Sequence, residues 1–169
     1  MFNFQYSQAE LDAQVAALSM PMQLWLNWMM LVVIIMPIFF FRRPQGRIAI
    51  LCSILLIATA IPTTRIVGMS NFLSLLHLII WTPLLIYFSH QLRHQRIPIK
   101  SVFGIWSLTM ITTLIISLVF DIRDFGRWLM GERGVVSVTQ FEVAWLCLFF
   151  ILLCILLIGG YIFKKPPTD

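Results

Sequence analysis

Five long apolar stretches occupy most of the 169-residue chain. A helix needs about 20 predominantly apolar residues to cross the hydrocarbon core of a bilayer, and each stretch approaches or meets that length. The second apolar run stops at Pro62, so we expect its helix to continue, kinked, as far as Arg65. The pattern predicts an all-α integral membrane protein, a bundle of five transmembrane helices with spans at about 22–41, 48–66, 72–89, 102–120 and 141–163.

Two amphipathic segments flank these spans. Residues 1–20 form a predicted extracytoplasmic segment, in which Ser7 and Glu10 have the spacing of a capping box at the start of a short amphipathic helix. The connection after span four, residues 121–140, alternates apolar and charged positions with helical period, which predicts an interfacial helix that stops near Gly131 or Gly134. Residues 21–169 are then a single five-helix transmembrane domain.

The composition supports a membrane protein over a soluble one. Hydrophobic residues make up 60% of the chain and charged residues 11%, whereas a soluble domain is about half apolar and about a quarter charged. The net charge of +5 does not indicate a nucleic-acid surface, because the basic residues lie at the ends of apolar segments and form no separate soluble face. The partner that this composition predicts is the lipid bilayer.

Basic residues are unevenly divided between the two sides of the predicted bundle. Eight fall on one side and four (Arg65, Arg123, Arg127 and Arg133) on the other. The positive-inside bias places the richer side in the cytoplasm, with the N-terminus outside and the C-terminus inside, as in a bacterial inner membrane. Lys164 and Lys165 follow the last span, and the remaining six are expected to contact anionic lipid headgroups: Arg42, Arg43, Arg47, Arg93, Arg96 and Lys100.

Polar residues inside the spans are the strongest functional clue, because buried polar groups are costly in lipid. Ser70, Ser74, His77 and Trp81 share one face of span three, and Thr109, Thr113, Ser117 and Asp121 repeat every four residues on span four. These stripes predict an outward-opening polar pocket, in which Asp121 or Glu142 pairs with His77 or with Arg65. The candidate pocket residues are Asn27, Arg65, His77, Trp81, Thr113, Ser117, Asp121 and Glu142.

Each of these residues also has a structural interpretation. Glu142 follows Thr139 with capping-box spacing. Serine and threonine stripes commonly pack helices together in lipid. Asp121 and Arg65 can simply mark the water interface, and His77 can form a structural hydrogen bond between helices.

No metal, cofactor or catalytic motif is predicted, although a bound lipid is plausible. His90 and His94 have the spacing of a metal-binding pair, but two ligands seldom make a site and neighbouring arginines repel a cation. The chain contains no nucleophile elbow, no phosphate-binding glycine loop and no H-E-x-x-H.

Three functions therefore remain open. The first is a small accessory or assembly subunit of a larger integral membrane complex. The second is an oligomeric channel or transporter whose outward-facing pocket around His77 and Asp121 handles protons or a small polar ligand. The third is a membrane-embedded enzyme that acts on a lipid or quinone with His77 and Asp121 as acid and base. The expected protein partner is a second copy of the chain or a larger membrane protein.

Overall fold

The computed structural model describes residues 5–94, 97–98 and 100–132, and the elements within these residues are all helical. Five helices follow one another: α1 (Gln8–Ala16), α2 (Met20–Phe39), α3 (Pro44–Val67), α4 (Leu73–Arg93) and α5 (Val102–Leu129). Helices α2 to α5 are each long and apolar enough to cross a membrane, which indicates an integral membrane protein.

These four helices overlap the first four spans predicted from the sequence. The fifth, at 141–163, lies outside the described residues, as do Arg96, Arg133, Glu142, Lys164 and Lys165, so a five-span bundle stays a prediction. As expected, α3 continues through Pro62, to Val67.

The predicted interfacial helix after span four does not form a separate element. Instead, α5 runs without a break from Val102 to Leu129. Asp121 and Asp124 are both buried and extend the buried face that contains Ser117, so packing continues past the apolar run that defined the span. The predicted stop is nearly correct, because Gly131 takes a positive φ of 95° just after the helix ends.

Helix α1 begins with the predicted capping box: the Ser7 hydroxyl accepts from the Glu10 amide, and the Ser7 amide donates to the Glu10 carboxylate at 2.7 Å. Hydrogen bonds join α1 to the last turn of α3 and to the connection that follows it. The Met69 amide donates to Gln14 Oε1 at 2.9 Å, and Arg65 Nη2 donates to Gln8 Oε1 at 3.1 Å. That α1 lies on a membrane surface remains a prediction.

Helix α2 is irregular in its middle, which the apolar pattern did not predict. It is α-helical over Met20–Met29, π-helical over Met30–Ile35 and α-helical again over Met36–Phe39. Pro37 has no N–H to donate to a carbonyl one turn earlier. Two side chains from other helices donate to the carbonyls of this preceding turn instead. Ser53 Oγ donates to the Val33 carbonyl at 2.8 Å, and Trp106 Nε1 donates to the Val32 carbonyl at 3.1 Å.

Helix α5 is central in the described part of the chain, and α3 is peripheral. In α5, 67% of the residues in an apolar 18-residue window are buried, whereas in the corresponding window of α3 only 11% are buried. Helix α5 packs most extensively against α4, and the core between them includes Leu84, Phe88, Met110 and Leu114.

Aromatic rings close the end of the bundle at which the basic connections lie. Phe40 stacks on Trp106 with ring centroids 4.8 Å apart, and Phe103 and Phe88 meet Trp106 at 5.6 Å each. Gly46 fits here because a side chain on it would collide with the Phe40 carbonyl. This end of the bundle is therefore filled by packed rings, whereas the opposite end contains polar groups.

Candidate functional site

His77 and Asp121 meet between α4 and α5 at the end opposite the aromatic cluster. His77 Nδ1 lies 2.9 Å from Asp121 Oδ1, and Asp121 is only 6% exposed. Ser117, one turn before Asp121 on α5, donates its hydroxyl toward the second carboxylate oxygen at 3.4 Å. A carboxylate in an apolar setting needs such partners, since burying an unpaired charge is costly. The predicted polar stripes therefore do bring His77 together with Asp121 and Ser117.

Trp81 lies one helical turn beyond His77 and supports its ring. The two rings are 4.1 Å apart and nearly parallel, at 4°. Trp81 is buried, and its indole Nε1 has no hydrogen-bond partner among the described residues. The imidazole is thus held from one side by a hydrogen bond to Asp121 and from the other by stacking, which restricts its orientation.

A cavity of about 80 Å³ adjoins this pair, which is room for more than one water molecule. Helix α2 contributes Met22 and Met29 to its wall, and the connection before α4 contributes Met69. The polar wall consists of five residues, in α4 and α5: Ser74, His77, Ser117, Asp121 and Asp124. The remaining lining is apolar, so the polar groups face a low-dielectric space in which electrostatic interactions are strong.

Asp124 is a lining residue that the sequence analysis did not select. It is 4% exposed, and the Arg123 guanidinium forms an ion pair with it at 2.7 Å. The sequence predicts an interfacial helix over this segment, and the charged side chains of such a helix face away from its apolar ones. The spacing of three residues between Asp121 and Asp124 was the signal that both share the buried face of a longer helix.

Three other predicted pocket residues that the structure describes do not line the cavity. Asn27 is exposed on α2 and does not line the cavity. Thr113 is fully buried and accepts a hydrogen bond from Trp28 Nε1 at 3.1 Å, which ties α5 to α2. Arg65 bonds to Gln8, so the alternative pairing of Arg65 with Asp121 is not observed. Glu142 lies outside the described residues.

The end of the bundle that contains the aromatic cluster carries basic side chains on its surface. Five of the six residues predicted to contact lipid headgroups are described, and all five are exposed: Arg42, Arg43, Arg47, Arg93 and Lys100. The Arg43 guanidinium also lies 4.5 Å above the Phe103 ring centroid. Contact of these residues with anionic lipid stays a prediction.

Carboxylate, thiol and imidazole groups do not assemble into a metal centre in the described part of the chain. No group of three or more His, Cys, Asp or Glu residues could hold a metal ion there. The rings of His90 and His94 lie 4.2 Å apart at the basic end, without a third ligand of these types among the described residues.

No family model, curated protein or solved structure matches this chain. Arguments about function therefore rest on the geometry of the His77–Asp121 pair and its cavity.

Proposed function

We propose that the protein is an oligomeric membrane carrier or channel that handles protons at the His77–Asp121 pair. The observation that carries the proposal is the 2.9 Å contact between an imidazole nitrogen and a buried carboxylate at the wall of a cavity. An imidazole can gain or lose a proton near physiological pH. Ionisable residues inside membrane helices commonly belong to proton or ion pathways.

The proposal includes a direction of access. The cavity lies at one end of the bundle, and rings packed around Trp106 fill the other end. Basic side chains cluster at the filled end, while the described acidic residues lie at the cavity end: Glu10, Asp12, Asp121, Asp124 and Glu132. With the basic end in the cytoplasm of a bacterial cell and a fifth span at 141–163, the cavity opens outward. Four or five helices are few for one carrier, which favours a pathway assembled from several copies.

Proton flux into liposomes that contain the purified protein tests this proposal. A potassium gradient with valinomycin sets the membrane potential, and an enclosed pH dye reports proton entry. We expect flux above that of protein-free liposomes, and its loss in the His77→Ala and Asp121→Asn variants. His90→Ala is the matched control, because His90 lies on the same helix at the opposite end. Flux that His77→Ala leaves unchanged would contradict the proposal.

A second candidate is an accessory or assembly subunit of a larger membrane complex, and the surface of α3 favours it. In its second half, residues 57–67, no side chain is buried against the described residues. The large apolar side chains Leu51, Ile54, Leu55 and Ile61 are also exposed. This apolar surface of α3 suits a partner helix as well as it suits lipid. Native mass spectrometry after gentle extraction from the native membrane separates the candidates: a defined mass with larger partners supports the subunit, and a homo-oligomer supports the carrier.

A further inference from the structure

Thioether side chains are concentrated at the cavity beside His77. The chain contains nine methionines, and three of them, Met22, Met29 and Met69, line this one cavity. They come from two separate segments, the first half of α2 and the connection before α4. Ser117 Oγ lies 3.4 Å from Met29 Sδ and 3.4 Å from Asp121 Oδ2, so at least one sulfur lies beside the polar pair.

The hydrogen bond of His77 is the one that metal-binding histidines commonly make. A histidine that ligates a metal through one ring nitrogen usually bonds to a carboxylate through the other, which fixes the tautomer and orients the ring. Here Asp121 takes Nδ1, and the stack on Trp81 restrains the ring plane. Nε2 has no hydrogen-bond partner among the described residues. With the proton on Nδ1, Nε2 carries the lone pair that a metal requires.

The charges at the cavity wall suit a single positive charge. Its ionisable lining residues, among those described, are His77, Asp121 and Asp124. The Arg123 guanidinium compensates Asp124, which leaves one negative charge on Asp121 when His77 is neutral. Helix α2, which forms the facing wall, contains no ionisable residue. A monovalent cation therefore neutralises the site, whereas a divalent ion would bring an uncompensated charge into an apolar setting.

We infer that this cavity binds Cu(I), coordinated by His77 Nε2 and the thioethers of Met22, Met29 and Met69. Thioether sulfur is a soft ligand that selects Cu(I) over hard cations. Hard divalent ions need several carboxylates, and Asp121 and Asp124 already bond to His77 and Arg123. The inference rests on the proposed function in that it names the ligand of the same pocket.

Anaerobic titration of the full-length protein in lipid nanodiscs, with bathocuproine disulfonate as a chromophoric competitor for Cu(I), tests the inference. We expect one Cu(I) per chain. Replacing Met22, Met29 and Met69 by leucine, which is close to methionine in volume, should weaken binding by at least about 100-fold. The matched control replaces Met20, Met30 and Met130, which are exposed and do not line the cavity, and should bind as the native protein does. Circular dichroism checks that both variants keep their helices.

A second measurement keeps the inference testable if the triple cavity variant does not fold. His77→Asn, which removes the imidazole ligand, should weaken Cu(I) binding by at least about 10-fold, whereas His90→Asn, at the opposite end of the same helix, should bind as the native protein does. Equal affinities of these two variants and the native protein would also overturn the inference. Absence of Cu(I) binding by the native protein, or equal binding by both triple variants, would overturn the inference. If the native protein binds no Cu(I) but still shows a proton flux that depends on His77, the inference fails and the proposed function stands. If the native protein shows neither Cu(I) binding nor proton flux, both fail.

Discussion

The Ser53 hydroxyl on α3 donates a hydrogen bond to the Val33 carbonyl on α2, with the two oxygens 2.8 Å apart. Val33 lies four residues before Pro37, where a regular helix would use the N–H that proline lacks. Ser53 Oγ also lies 2.9 Å from the Ala49 carbonyl oxygen on its own helix. The regular backbone hydrogen bonds of α3 can satisfy that carbonyl without the hydroxyl. The contact therefore compensates an irregularity of α2 with a side chain from α3.

Ser53→Ala should lower the free energy of unfolding by about 1 to 2 kcal/mol, because it leaves a buried carbonyl short of a donor. SDS titration in mixed micelles measures this change. Thr59→Ala is the control: within the described residues the Thr59 hydroxyl bonds to carbonyls of its own helix, at 2.8 and 3.0 Å, so its loss should cost less. Equal costs in the two variants would show that the bond between helices has no special importance.

Pro37→Ala should reduce the cost of losing the Ser53 hydroxyl. An alanine at this position supplies the missing N–H, which can donate to the carbonyl one turn earlier. In a double-mutant cycle, Ser53→Ala should therefore destabilise the Pro37→Ala protein less than it destabilises the native one. Additive effects of the two substitutions would contradict the proposed compensation.

Gly68→Ala should destabilise the protein by about 1 to 3 kcal/mol, because Gly68 ends α3 with φ at +68° and ψ at −166°, a region in which other residues are strained. An added Cβ would also lie 3.1 Å from the Tyr6 ring. The free energy of unfolding measures the effect. Gly126→Ala on α5 is the control: a Cβ there meets no atom of the described residues within 4 Å, and alanine favours the helix by up to about 1 kcal/mol. Destabilisation by both substitutions would argue against the backbone explanation.

Acidification should loosen α1 through Glu10. Hydrogen bonds from the Ser7 amide and hydroxyl lower the pKa of the Glu10 carboxyl below its ordinary value. The stability that the cap contributes is therefore fully present above the ordinary pKa of a glutamate, and it is lost as the pH falls through the lowered pKa of Glu10. Amide hydrogen exchange of α1, compared with that of Glu10→Gln at each pH, checks this: the native helix should exchange more slowly near neutrality and equally fast in strong acid. A difference that does not change with pH would be inconsistent with the carboxylate cap.

The fold was predictable where a local signal carried it. Apolar length predicted α2 to α5, and the spacing of Ser7 and Glu10 predicted the start of α1. The end of α5 was misjudged because charged residues after Phe120 resemble an interfacial segment. Asp121 and Asp124 are nevertheless buried, since partners compensate them: His77 on α4 and the neighbouring Arg123.

The residues of the candidate site were likewise predictable only where a local signal placed them. Helical period alone placed Ser117 and Asp121 on one face of α5 and His77 on the facing stripe of α4. Nothing local indicated that Asn27 would be exposed or that Arg65 would bond to Gln8. The methionines of the cavity wall were equally invisible in the sequence, because a thioether at an apolar position does not distinguish a lining residue from a packing residue.

The sequence by itself determined the class of the protein, the approximate positions of its first four long helices and the helix faces that carry its polar groups, because each depends on hydrophobicity and helical period along one segment. Only the tertiary structure decided which polar groups pair. It selected Asp121 as the partner of His77, turned Asp124 inward and placed three methionines beside them. The physical reason is that a hydrogen bond or a cavity wall between helices depends on their relative rotation and spacing, which packing of whole helices fixes and no single segment encodes.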